Sequence, residues 1–199
     1  MIIRRYQPGD RDAVHDICIR TADAGQDASG SYADPDVLPA IFAHPYAELE
    51  PELAFVLDDA GQAVGYVLGT ADTATLVQRF RTEWLPRFTD RYPAPQGEPG
   101  TSDEVMAHLL HNPERMILPE PKDYPAHLHI DLLPAYQRAG HGRKLIDTFT
   151  AALRRAGVPG LHLGLVTANE SAHAFYHRLG FHTIDVADPG PLTYLGLRF

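Results

Sequence analysis

The chain has one cysteine, Cys18, and only two lysines beside fifteen arginines in 199 residues. A single thiol allows no internal disulfide and no thiolate metal cluster. No apolar run approaches the ~18 residues that a membrane span needs. The opening MIIRRYQPGD also lacks an apolar stretch that could direct secretion. The cytoplasm is therefore the expected location, with no membrane partner. A basic stripe is missing as well, and the formal charge is −9. Nucleic acid is not an expected partner, because neutralising phosphates takes clustered Lys and Arg. What is present is ordinary for a globular protein: 44% hydrophobic and 22% charged residues. That mix excludes a wholly disordered or collagen-like chain and fits one domain over residues 1–199.

The charge is unevenly spread: −9 over residues 1–72, −2 over 73–126 and +2 over 127–199. Either the acidic part is a solvated surface, or it attracts a cationic ligand while the C-terminal part faces an anion.

Hydrophobic spacing divides the chain. Ile2–Tyr6 reads as a strand, with Asp10 available to cap a helix over residues 11–23. Val37–Ala43 is a helical turn or two. Leu53–Leu57 and Ala63–Gly69 are apolar runs joined by Asp58-Asp59-Ala60-Gly61, a hairpin signal. Residues 73–126 break the rhythm with helical spacing over Leu76–Phe88, a Pro/Gly-rich stretch, and a helix over Asp103–His111 that Ser102 can cap. An inserted segment of this length is a lid, a binding element or an oligomer contact, for instance in a homodimer. Trp84, Tyr92 and Tyr32 are then either pocket aromatics or core. Order returns with a strand at His127–Leu133 and a helix over Arg143–Ala156, whose Leu145, Ile146, Phe149, Ala152 and Leu153 form one stripe. Leu161–Val166, Asn169–Leu179, Thr183–Val186 and Leu192–Phe199 follow as strand, helix, strand and strand. The pattern is that of a mixed α/β (α+β) domain.

Between strand and helix lies Gln137-Arg138-Ala139-Gly140-His141-Gly142. A helix start presents unpaired N–H groups and a positive dipole end, and glycines let an anion approach the backbone. Leu145 excludes a dinucleotide GxGxxG, and Lys144-Leu145 excludes a P-loop. The spacing by itself fits a phosphate cradle and a structural turn equally well.

Gln137-Arg138-x-Gly140-x-Gly142 resembles the acetyl-CoA pyrophosphate loop of the GNAT acetyltransferase superfamily. Asn169-x-x-Ala172-x-x-Phe175-Tyr176-x-x-Leu179-Gly180-Phe181 resembles the later motif of that family. Within it, Tyr124-Pro125-Ala126-His127-Leu128-His129-Ile130-Asp131 is similar to the acetyltransferase-like domain attached to O-GlcNAcase and its free-standing bacterial relatives. The resemblance covers the chain except residues 73–126. It implies a GNAT fold: a mixed sheet splayed between strands 4 and 5, flanked by helices, with a helical insertion between strands 3 and 4. It implies acetyl-CoA as acetyl donor and cofactor, with no metal. Backbone amides of Arg138, Ala139, Gly140, His141, Gly142 and Arg143 would hold the pyrophosphate, with Gln137 and Phe175 beside them. Leu132 and Leu133 would hold the acetyl carbonyl through their backbone, and Asn169 would touch the pantetheine arm or cap its helix.

Acetyl transfer to an amine needs a neutral nucleophile, a stabilised oxyanion and a proton for the departing thiolate. The resemblance gives Tyr176 the role of general acid; without it, Tyr176 reads as a core aromatic. Strand alternation puts His127, His129 and Asp131 on one face, and His129 and Asp131 are the candidate bases. The stripe resembles the strand-borne histidine pair of arylalkylamine N-acetyltransferases, one residue closer to Gln137, an offset that a bulge would correct. His173 with His177, and His108 with His111, have metal-compatible spacing but no acidic or Cys partner spaced to complete a site. Asp27, Asp34, Asp36, Glu48 and Glu50 suggest a cationic amine acceptor. The rival readings are a catalytically silent acetyl-CoA-binding or protein-interaction module, and a structural protein assembled through residues 73–126.

Overall fold

The structure is a computed structural model that describes residues 1–118 and 123–199; positions 119–122 of the expected 73–126 insertion lie outside the described residues. Seven strands form one sheet in the order β1-β2-β3-β4-β5-β7-β6. They are β1 (Ile2–Arg5), β2 (Ala54–Asp59), β3 (Gln62–Thr70), β4 (Ala126–Leu132), β5 (Gly160–Val166), β6 (His182–Ile184) and β7 (Leu192–Arg198). All neighbouring pairs are antiparallel except β4 and β5. That parallel pair is joined only at Ala126–Leu161 and His127–His162, so the sheet opens beyond His127.

Period-2 alternation gives the central strands two buried faces. Val56, Tyr66 and Leu68 point to one core and Leu57 and Val67 to the other; Val64 joins the second core because a register shift between β2 and β3 leaves it as the extra residue. The first core is covered by α1 (Arg11–Ile19), α2 (Val37–Phe42), α3 (His44–Leu49), α4 (Thr73–Arg79) and α5 (Ser102–His111). The second lies under α6 (His141–Arg155) and α7 (Glu170–Arg178), which supply Leu145, Phe149, Leu153 and Tyr176. The inserted segment belongs to the first core: Phe80, Trp84, Leu85, Tyr92 and Leu110 are buried there. Trp84 Nε1 donates to the Ala40 carbonyl at 2.8 Å. Trp84 and Tyr92 are thus core aromatics, and Tyr32 packs against the same cluster.

Two capping expectations need correction. Asp10 precedes α1 but makes no cap bond; its carboxylate takes both Arg4 guanidinium nitrogens at 2.7 Å and the Gln7 amide. A bidentate guanidinium outcompetes a helix amide for the same oxygens. Helix α5 is capped by Thr101, one residue earlier than Ser102, in a reciprocal box with Glu104. The hairpin turn does form as read: Ala60 and Gly61 both have positive φ, and Asp58 accepts from the Gly61 amide at 2.7 Å.

Candidate active site

The site is the gap between β4 and β5, with one wall, one end and one floor. Regular pairing with β3 runs without a register shift from Thr70–His127 to Gly65–Leu132, so the described strand holds no bulge on this side. The Leu133 amide donates to the Val64 carbonyl at 3.0 Å. By antiparallel alternation the N–H and C=O of Leu132 and Ile130 then point away from β3, into the gap. The Leu132 amide is therefore turned to the gap, whereas the Leu133 amide is committed to the ladder and is not free for an acyl oxygen. Across the gap, Gly164 and Val166 are exposed, Val166 by 53%. An apolar side chain open to water on a strand edge marks a surface that a ligand can cover.

At the end of the gap, the turn before α6 places Arg138 at φ 59° and Gly140 at φ 82°. Two left-handed residues so close turn successive amides toward one concave side, an anion-binding nest. The first α6 bond runs from the Lys144 amide to the Gly140 carbonyl, so the amides of Arg138, Ala139, Gly140, His141, Gly142 and Arg143 have no backbone partner among the described residues. Gly142 has a further constraint: a Cβ there would stand 3.1 Å from the Phe175 ring and 3.6 Å from Leu132. Its smallness lets the α6 start seat against α7, joining the two sequence motifs. The Gln137 side chain is committed within the turn. Its Nε2 donates to the Leu132 carbonyl at 2.9 Å, so its side chain shapes the turn instead of reaching a phosphate. The Arg143 side chain is likewise tied to the Arg178 carbonyl at 3.1 Å.

Asn169 caps α7, accepting the Ala172 amide at 3.1 Å. It also lines a cleft of about 430 Å³ with Ala22, Asp23, Ala24, Val166 and Ala168. Tyr176 is 8% exposed, packed edge-on against Phe175 and Phe181. Burial and the nearby Asp131 charge raise its phenol pKa, which keeps the proton on at neutral pH.

The floor on the α1 side carries the polar stripe. Asp131 Oδ2 accepts from Tyr66 at 2.6 Å. Burial pushes its carboxyl up to about 7, partly offset by the hydrogen bond from Tyr66 and by the nearby Thr21 hydroxyl. Burial and the Arg115 charge drive His129 down to about 3, so it is neutral, and His127 is also neutral. The hydrogen-bond chain assigns their tautomers. Thr73 Oγ1 lies 2.7 Å from the Pro125 carbonyl, which can only accept, so Thr73 donates there. His127 Nδ1, 2.7 Å from the same hydroxyl, must then be the donor. Its Nε2 accepts from Tyr46 at 2.8 Å, and His129 Nε2 donates to the Tyr46 oxygen at 3.1 Å. His129 Nδ1 is left as the free lone pair.

Of the two candidate bases, Asp131 alone titrates near neutrality. Tyr66, Thr21 and Tyr46 were not singled out from sequence as site residues: they sit in a strand, a turn and α3, and only the tertiary fold brings their hydroxyls to the stripe. Of the acidic N-terminal residues, Asp27 bonds only to Ser29 among the described residues, and Glu50 lies 3.8 Å from Arg79. Asp34 and Asp36 pair with Arg91, and Glu48 pairs with Arg11 and Arg87. Among the described residues no three or more His, Cys, Asp or Glu gather as a metal site, and no helix is long and apolar enough to cross a membrane.

A sheet opened between two parallel strands, with a nest of amides at one end, is the architecture of an acetyltransferase domain. The chain belongs to the acetyltransferase (GNAT) family, whose model matches residues 21–181. It is similar to SsHAT, a solved structure 59% identical with a TM-score of 0.95, covering 99% of this chain and 97% of that one. It is also 24% identical to protein O-GlcNAcase of Rattus norvegicus over 89% of this chain, and spans 20% of that protein's length. The yncA protein of Salmonella typhimurium, solved with its cofactor acetyl-CoA, shares the fold at 18% identity and a TM-score of 0.56, over 99% of this chain and 92% of that one.

Proposed function

We propose that the chain is an N-acetyltransferase that moves the acetyl group of acetyl-CoA to a primary amine by direct attack in a ternary complex. Acetyl-CoA supplies an activated acyl carbon. The residues suit it: the amides of Arg138–Arg143 would take its pyrophosphate, and the open Ile130 and Leu132 edge would align its pantetheine arm like an added strand. Asp131 takes a proton from the incoming ammonium, and Tyr176 gives one to the departing thiolate. The observation that carries this reading is the buried Asp131 carboxyl, raised to about 7 on the strand that edges the gap. A base so placed is half ionised at neutral pH, where general-base catalysis is most effective. Direct attack is supported by Cys18, which is 3% exposed and whose thiol pKa burial raises, making it a poor acetyl carrier.

Following free thiol while acetyl-CoA meets a panel of amines tests the reading. Tyr176→Phe should retain acetyl-CoA affinity and lose about 10²-fold or more in turnover. The second reading, a silent acetyl-CoA-binding or interaction module like the O-GlcNAcase domain, is favoured by the packing of Tyr176 into the core. It predicts cofactor binding by calorimetry with no thiol release from any amine.

A further inference from the structure

Arg115 stands apart from the other arginines near the α2–α5 layer. Arg81, Arg87 and Arg91 each close on a carboxylate. Arg115 pairs with none among the described residues; its Nε makes a long 3.4 Å bond to the Leu109 carbonyl. Its guanidinium lies 5.8 Å from the centre of the Phe42 ring. That ring is in turn 5.7 Å from His129, at the floor of the gap. Arg115 remains accessible to solvent, yet burial lowers its pKa, and its charge is felt by Tyr46, His127, His129 and Tyr194. This guanidinium is crowded by protein, still reachable, and meets no carboxylate among the described residues.

Its neighbours place it in the fold. Tyr194 on β7 lies over Gly164 of β5, where a Cβ would stand 3.1 Å from its ring. Leu163 and Leu195 point to the α6–α7 core, so Gly164 and Tyr194 lie on the opposite face, the face of His129 and Asp131. Phe42, His129 and Tyr194 thus border the gap on the side away from α6 and α7, with Arg115 among them. Asp131 on the same face suits an ammonium group.

We infer that Arg115 is a specificity residue for an acceptor that carries an anionic group, such as a carboxylate, on the same small molecule as its amine. The inference rests on the acetyltransferase reading for its ligand. The Phe42 ring lies at cation–π distance from the guanidinium, and the terminal N–H groups, which have no hydrogen-bond partner among the described residues, can take a carboxylate. The acceptor is then amino-acid-like, its amine at Asp131 and its anion at Arg115.

Matched amines decide it: glycine and β-alanine beside their amides, with putrescine as a cationic comparator. The acids should surpass their amides in kcat/KM by about tenfold or more, the size expected of a charge-assisted pair. Arg115→Gln should bring that ratio to about one, and Arg115→Lys should restore part of it. Best turnover with putrescine, or an equal loss on acids and amides in Arg115→Gln, overturns the inference. If no amine releases thiol although acetyl-CoA binds, the acetyltransferase reading fails instead. Calorimetry with CoA then compares N-acetylglycine with N-acetylglycinamide: tighter binding of the acid, lost in Arg115→Gln, upholds the anion site, and equal binding removes it.

Discussion

Tyr66 and Asp131 face each other across the β3–β4 ladder, and the phenol donates to the carboxylate at 2.6 Å. This bond stabilises the ionised form, while burial opposes it more strongly, and the balance leaves the carboxyl near 7. Tyr66 is itself fully buried, so the pair is held rigidly at the edge of the open gap.

The pH dependence of turnover follows. The Asp131 carboxyl, set at about 7, must be ionised to accept a proton, so kcat should fall as pH drops below that value. Tyr66→Phe removes a bond that favours the anion, so the acid limb should move up by roughly half to one pH unit. A pH-rate profile of thiol release measures both; a limb that stays in place in Tyr66→Phe counts against Asp131 as the base.

Stability carries the same signature with a definite sign. The carboxyl titrates near 4 in the unfolded chain and at about 7 in the fold, so between those values the native state binds more protons. Unfolding free energy contributed by this group must then decrease as pH rises from 4 to 7. Asp131→Asn should gain on the wild type over that window, by up to about 4 kcal/mol. Urea unfolding of both proteins at about pH 4.5 and about pH 7.5, just above the unfolded value and just above the folded one, gives the comparison; parallel stabilities would remove the buried charge from the account.

Gly142 tests the anion nest. A side chain at this position meets Phe175 at 3.1 Å, and Gly142→Val should push the α6 start away from α7. Acetyl-CoA affinity should fall by about tenfold or more, with a stability loss of about 1–3 kcal/mol from overpacking. Calorimetry and thermal unfolding separate the two effects, and full affinity in a folded variant would relocate the pyrophosphate.

Tyr46 should hold the tautomer of His129. In the wild type, His129 carries its proton on Nε2, because that nitrogen donates to Tyr46. Tyr46→Phe should release this preference and cost about 1–3 kcal/mol, since the buried His127 Nε2 loses its donor. Nitrogen chemical shifts of the imidazoles in both proteins report the change directly; an Nδ1-protonated His129 in the wild type would reverse the chain of donors.

The strands, the α6 and α7 helices and the hairpin at Ala60-Gly61 were written in local pattern, because periodicity and turn chemistry act over a few residues. The same is true of the glycine-rich turn and of the shared face of His127, His129 and Asp131. Alternation along one strand dictates that face whatever surrounds it. Local pattern could not say that Asp10 answers to Arg4, or that Gln137 and the Leu133 amide are committed to the backbone of the fold. Nor could it separate His129 from Asp131 as base. A pKa is set by what burial removes and what distant side chains return, here Tyr66 on the neighbouring strand, Thr21 just past α1 and Arg115 far along the chain. Those distances close only when the sheet is assembled, so the kind of protein lies in the sequence and the working charge states lie in its packing.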